Sequence, residues 1–63
     1  MTIKEAGKDI VKNGYHSYLI GFNGNDETSL DATNIDELEE LWYSLCSEFE
    51  CGVDSIDYIV CEV

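Results

Sequence analysis

His16, Cys46, Cys51 and Cys61 are the residues of this chain best suited by type to hold a metal or act as a nucleophile. Together they make the ligand set of a Cys3His zinc site, and a structural metal is one way a chain of 63 residues gains stability. The Cys46-x4-Cys51 spacing is weak for zinc, and the elements around it, described below, set the pairs apart. A Cys61–His16 nucleophilic pair would need an orienting group and a concave site, which the sequence does not supply. "NGNDE" (residues 23–27) opens like a calcium loop but lacks the glycine at position six and the glutamate at position twelve, so it reads as a turn. Three cysteines without framework spacing suit a reducing compartment. The expectation is a non-enzymatic chain without metal or cofactor, leaving a metal shared between two chains as the remaining arrangement.

The elements that position these residues follow from periodicity. Residues 2–12 carry Ile3, Ala6, Gly7, Ile10 and Val11 at helical spacing, with Thr2 as cap and "NG" at 13–14 as stop; Gly7 weakens that helix unless something packs close to it. "YHSYLIGF" (15–22) is apolar on both sides, Leu19 on one face and Tyr18, Ile20 and Phe22 on the other, as in a central strand. Asn23-Gly24 suits a hairpin turn. Residues 26–32 alternate Thr28, Leu30 and Ala32 with Glu27, Ser29 and Asp31, the pattern of a half-buried edge strand.

"NIDELEELWYSLCSEFE" (34–50) places Ile35, Leu38, Leu41, Trp42, Leu45, Cys46 and Phe49 on one helical stripe. Asn34 and Glu37 form a capping-box-like start, and Gly52 is placed to end the helix. "IDYIVCEV" (56–63) is a last strand, again apolar on both faces. The order is α-β-β-α-β, an α+β fold in one domain spanning 1–63. A hairpin followed by a right-handed crossover gives a three-stranded sheet of order 2-1-3, covered on one face by two helices. In that topology His16 approaches Cys61, while Cys46 and Cys51 follow the helix to the far end of the sheet. A seven-residue strand spans ~23 Å, beyond the reach of one metal.

Composition narrows function further. A hydrophobic fraction of 44% with seven aromatics is too rich for a disordered chain, although one this short buries only about 60% of its unfolded surface. No apolar run approaches the ~20 residues that span a bilayer, and the N-terminus lacks a signal-peptide core, so the expected setting is soluble and cytoplasmic. The net charge is −11, and all three bases (Lys4, Lys8, Lys12) lie in the first twelve residues, opposed there by Glu5 and Asp9. From residue 13 onward twelve acids face no Lys or Arg. Such a field repels nucleic acid and anionic membranes and draws basic partners.

The densest part of that charge is Asp36, Glu37, Glu39, Glu40, Glu48 and Glu50, six carboxylates over ~21 Å of helix, or about one per ~3.5 Å. One strand of B-DNA carries one per ~3.4 Å. Asp36 and Glu37 suit the helix dipole, whereas Glu48 and Glu50 stand where cations are favoured, and Asp36 and Glu40 repel at i,i+4. The alternative is that this face only keeps the domain in solution.

In size, charge and layout the chain resembles the very small acidic α+β proteins that phages and mobile elements encode against nucleic-acid-binding enzymes, anti-CRISPR proteins and other DNA mimics among them. The resemblance implies an inhibitor that occupies the basic nucleic-acid channel of a partner such as a CRISPR nuclease. Asp36, Glu37, Glu39, Glu40, Glu48 and Glu50 would be its contacts and Tyr43 an exposed anchor. Such a protein is a monomer or weak dimer with no direct contact to nucleic acid or membrane. A second expectation is an accessory domain that binds a protein, or itself, through an open sheet face made adhesive by Leu19 or Tyr15.

Overall fold

The computed structural model describes residues 1–62. Its elements are α1 (Ile3–Ala6), β1 (His16–Phe22), β2 (Asp26–Ala32), α2 (Ile35–Phe49) and β3 (Ile56–Cys61). The sheet has the order β2-β1-β3, and both outer strands run antiparallel to β1. α1 lies against β3 and α2, and α2 lies over β2. Both helices therefore pack on one side of the sheet.

α1 is shorter than the sequence suggests. Thr2 caps it with a full capping box to Glu5, but the helix ends at Ala6 instead of running to residue 12. Gly7 is buried, and a Cβ there would meet Val11 Cγ2 at 2.8 Å and the Ile3 carbonyl oxygen at 2.9 Å. The chain turns tightly at this contact, with Ile10 and Val11 both donating to the Gly7 carbonyl (3.1 and 2.9 Å). The close approach explains the glycine and ends the helix together. The buried Tyr18 then anchors the following segment, since its hydroxyl accepts from the Lys12 amide at 3.1 Å.

The hairpin register pairs Phe22 with Asp26 and His16 with Ala32. Asn23 (φ 53°) and Gly24 (φ 80°) supply the left-handed turn conformations, which the short polar asparagine tolerates and glycine, with no Cβ, adopts freely. β1 meets β3 in regular register from Tyr18–Cys61 to Gly21–Tyr58, after which Phe22 pairs with Ile56. Asp57 is the extra residue of a bulge, which shifts the alternation so that Ile56 and Ile59 both reach the core. The Asp57 carboxylate accepts from the Gly24 amide at 2.7 Å and ties the bulge to the hairpin tip.

The core is one cluster: Ile3, Tyr18, Ile20, Phe22, Ala32, Leu38, Trp42, Cys46, Ile56 and Ile59. Within the α2 stripe Leu38 and Trp42 are fully buried, whereas Leu41, on one angular edge, and Phe49, in the last turn of the helix, are exposed. The helix ends on Glu50, not Gly52: Glu50 adopts the left-handed conformation (φ 55°), and the Glu50 and Cys51 amides both turn back to the Cys46 carbonyl. That is a Schellman-type stop, with Cys46 and Cys51 as its apolar contact. The end of the expected last strand at Val63 falls outside the described residues.

Candidate partner-binding surface

α2 presents the acidic face, and its amphipathic period decides how the carboxylates are shared out. At about 100° per residue, Asp36, Glu40 and Tyr43 fall in an outer row, Glu37 and Glu48 on one flank and Glu39 on the other, with Glu50 just past the last turn. They fan over the exposed half of the helix and do not form a single file.

Three of them have partners within the chain. Glu37 accepts from the Thr33 amide (3.2 Å) and hydroxyl (3.1 Å), while Asn34 Oδ1 accepts from the Glu37 amide (2.9 Å). Glu37 thus belongs to the helix start. Lys4 Nζ stands 3.6 Å from Asp36 Oδ1 and 3.9 Å from Glu39 Oε1, so α1 supplies a counter-ion to the first turns of α2. Nothing in the linear order signals this contact, because it spans two elements brought together only by the core. Glu40, Glu48 and Glu50 are exposed and take part in no ion pair among the described residues. Tyr43 is 46% exposed beside them. α2 has no basic residue in its last turn, so Glu48 and Glu50 add to the negative end of the helix dipole.

The opposite face of the sheet is open. Leu19 pairs with Val60 and Gly21 with Tyr58, and the Tyr58 ring covers the glycine closely. Tyr58 and Val60 remain 42% and 47% exposed, two residues that an apolar-on-both-faces strand implied without naming. Carboxylates rim this face. Tyr58 donates to Glu27, Ser29 to Glu62 at 2.9 Å, and Asp31 accepts from Ser17 (2.6 Å) and Tyr15 (2.7 Å). The Ser17 and Tyr15 hydrogen bonds hold the Asp31 carboxyl below the usual range, and in return the Tyr15 phenol is raised by Asp31. Tyr58 is raised by its bond to Glu27. Tyr15 itself stands outside β1 and is 70% exposed.

The metal-ligating types are divided between the two ends of the sheet. Cys46 and Cys51 adjoin at the end of α2, with Cys46 Sγ 3.8 Å from the Gly52 carbonyl oxygen. Burial, followed by the Cys51 side chain, pushes the Cys46 thiol up to about 12. Cys61 pairs with Tyr18 in the ladder near His16, where β1 begins. The His16 Nδ1 is buried without a hydrogen-bond partner, its ring edge-on to Tyr18 at 6.2 Å. Among the described residues no three His, Cys, Asp or Glu side chains are grouped to hold a metal. No helix among them is long and apolar enough to cross a membrane. Neither a family model, nor a curated protein, nor a solved structure matches this chain.

Proposed function

We propose that this chain is a non-enzymatic acidic binding protein, an inhibitor that occupies the basic nucleic-acid-binding surface of a partner such as a CRISPR nuclease. The observation that carries this reading is the uncompensated outer half of α2. Lys4 engages Asp36 and Glu39, and beyond them Glu40, Glu48 and Glu50 stand exposed with no Lys or Arg anywhere in the chain after residue 12. A surface that only maintained solubility would intersperse both signs, whereas one of single sign steers a cationic partner. Tyr43 adds an aromatic contact at the centre of the patch.

The test is competition. A partner recovered by pull-down at low salt is expected to lose its nucleic acid when this protein binds, because both use one cationic channel, and to release the protein as salt rises. Replacing Glu40, Glu48 and Glu50 together by Gln removes three charges and leaves the capping Glu37 and the Lys4 pairs in place. If that variant bound the partner as tightly as wild type at low salt, the α2 reading would be wrong.

Exposure of Tyr58 and Val60 around Leu19 favours a second reading, an accessory domain that binds a protein or a second copy of itself through the open sheet face. Mass by size-exclusion with light scattering separates the two. A dimer unmoved by salt belongs to the sheet face, and a monomer whose partner binding is salt-sensitive belongs to α2.

A further inference from the structure

The hairpin end of the molecule carries a cleft that lies apart from the outer row of α2. Its volume is about 270 Å3, and Phe22, Asn23, Asp26, Glu27, Thr28 and Phe49 line it. Phe22 is the floor, only 4% exposed and held by Trp42 in an edge-to-face contact at 5.2 Å. Phe49 stacks beside it, its ring nearly parallel to that of Phe22 (20°, centroids 6.2 Å apart) and 57% exposed. A domain with so little apolar surface to bury leaves an aromatic ring open beside a concavity.

The electrostatics of the cleft have one sign. Asp26 pairs with Phe22 in the ladder, so strand alternation sets its side chain on the helix side of the sheet with the cleft. The Glu27 carboxylate instead accepts from Tyr58 on the other face, which leaves Asp26 as the carboxylate of the rim. Phe49 belongs to the last turn of α2, which has no basic residue and brings the negative end of the helix dipole beside the cleft. Lys4, the lysine paired with α2, engages the first turns of that helix, ~15–20 Å along its axis from Phe49.

We propose that this cleft binds the side chain of one arginine of a partner protein, its planar guanidinium packed against the exposed ring of Phe49 and donating to Asp26. An apolar occupant would strip water from Asp26 and return nothing. A guanidinium suits the site better than an ammonium, because it is flat, stacks on aromatic rings and sheds its hydration more readily. The volume lies just under the ~300 Å3 at which small-molecule sites begin, which fits one side chain. The inference rests on the reading of the chain as a binder of basic proteins for the class of partner, and adds to it a residue-level anchor on a different part of the surface.

The experiment is an amide NMR titration of the whole chain with N-acetyl-arginine amide and, in parallel, with N-acetyl-citrulline amide, which keeps the shape and removes the charge. Saturable shifts at Asn23, Asp26, Thr28 and Phe49 are expected with arginine, and binding weaker by about fivefold or more with citrulline. Phe49→Leu and Asp26→Asn, both at exposed positions, are each expected to weaken arginine binding by about fivefold while the spectrum stays that of a folded protein. The Glu40→Gln/Glu48→Gln variant is expected to bind arginine as wild type does, so a failure of the α2 reading leaves this result standing and the two are told apart. Absence of saturable shifts with arginine, equal binding of citrulline, or indifference to Phe49→Leu and Asp26→Asn overturns the proposal.

Discussion

Lys4 Nζ lies 3.6 Å from Asp36 Oδ1, joining the basic N-terminal segment of the chain to the acidic helix. Both side chains are more than half exposed, so the pair is screened and contributes only ~0.2–1 kcal/mol. Lys4→Gln is expected to lower stability by no more than that in urea titrations at low salt, with the difference vanishing at high salt. The same substitution frees Asp36 and Glu39, and under the α2 reading it should strengthen binding of a basic partner. A Lys4→Gln protein that bound more weakly would contradict that reading.

Trp42 is fully buried, its indole nitrogen donates to the Val53 carbonyl at 2.9 Å, and its ring meets Phe22 edge-on. Trp42→Ala removes the largest core side chain and should destabilise by ~3–5 kcal/mol. A domain of this size holds only ~3–9 kcal/mol in total, at ~0.05–0.15 per residue. Circular dichroism at 25 °C is expected to find the variant largely unfolded, and Trp42→Phe folded with a lower melting temperature.

Glu50 occupies the left-handed position that stops α2, at φ 55°, a conformation that glycine adopts without strain. Glu50→Gly is expected to raise stability by about 1 kcal/mol, helped by removing a negative charge from the negative end of the helix dipole. Thermal melts decide this, and a lower melting temperature would place the stop elsewhere. Loss of partner affinity in the same stabilised variant would identify Glu50 as a contact retained at the expense of the fold.

Burial and the Cys51 side chain push the Cys46 thiol up to about 12, from an ordinary value of 9.0. Because the folded value lies above the unfolded one, the favourable contribution of the neutral thiol is fully present below about pH 9. It is lost as pH climbs toward 12, where the unfolded chain releases a proton that the folded chain keeps. Stability of the wild type should therefore fall more steeply over that range than stability of Cys46→Ala, measured by urea titration at each pH. At pH 8, iodoacetamide should modify Cys46 last of the three cysteines, as peptide mapping by mass spectrometry would show.

Much of the fold is legible in order of residues alone. The alternation in 26–32 marks an edge strand, and β2 is half-buried with Glu27, Ser29 and Asp31 outward. Apolar residues on both sides of 16–22 suit a central strand, and β1 is the centre of the sheet. Asn34 and Glu37 announce the start of α2 because capping is a contact between near neighbours, readable at a spacing of three.

Contacts between distant segments decided the rest. α1 stops at Ala6 because Val11 folds back on Gly7 with Ile59 alongside, a crowding that no local propensity records. Leu41 and Phe49 belong to the apolar stripe by period, yet both are exposed, because coverage depends on which parts of the helix the rest of the core reaches. The bulge at Asp57 places Ile56 and Ile59 on one face, against the simple alternation of a strand. The identities of the acids are plain in the chain, but which of them Lys4 neutralises depends on where α1 docks. Local hydrogen bonding and hydrophobic period act between residues a few positions apart and are written in the order of the chain. Ion pairing, coverage and close approach act through space, and they exist only once the core has brought the elements together.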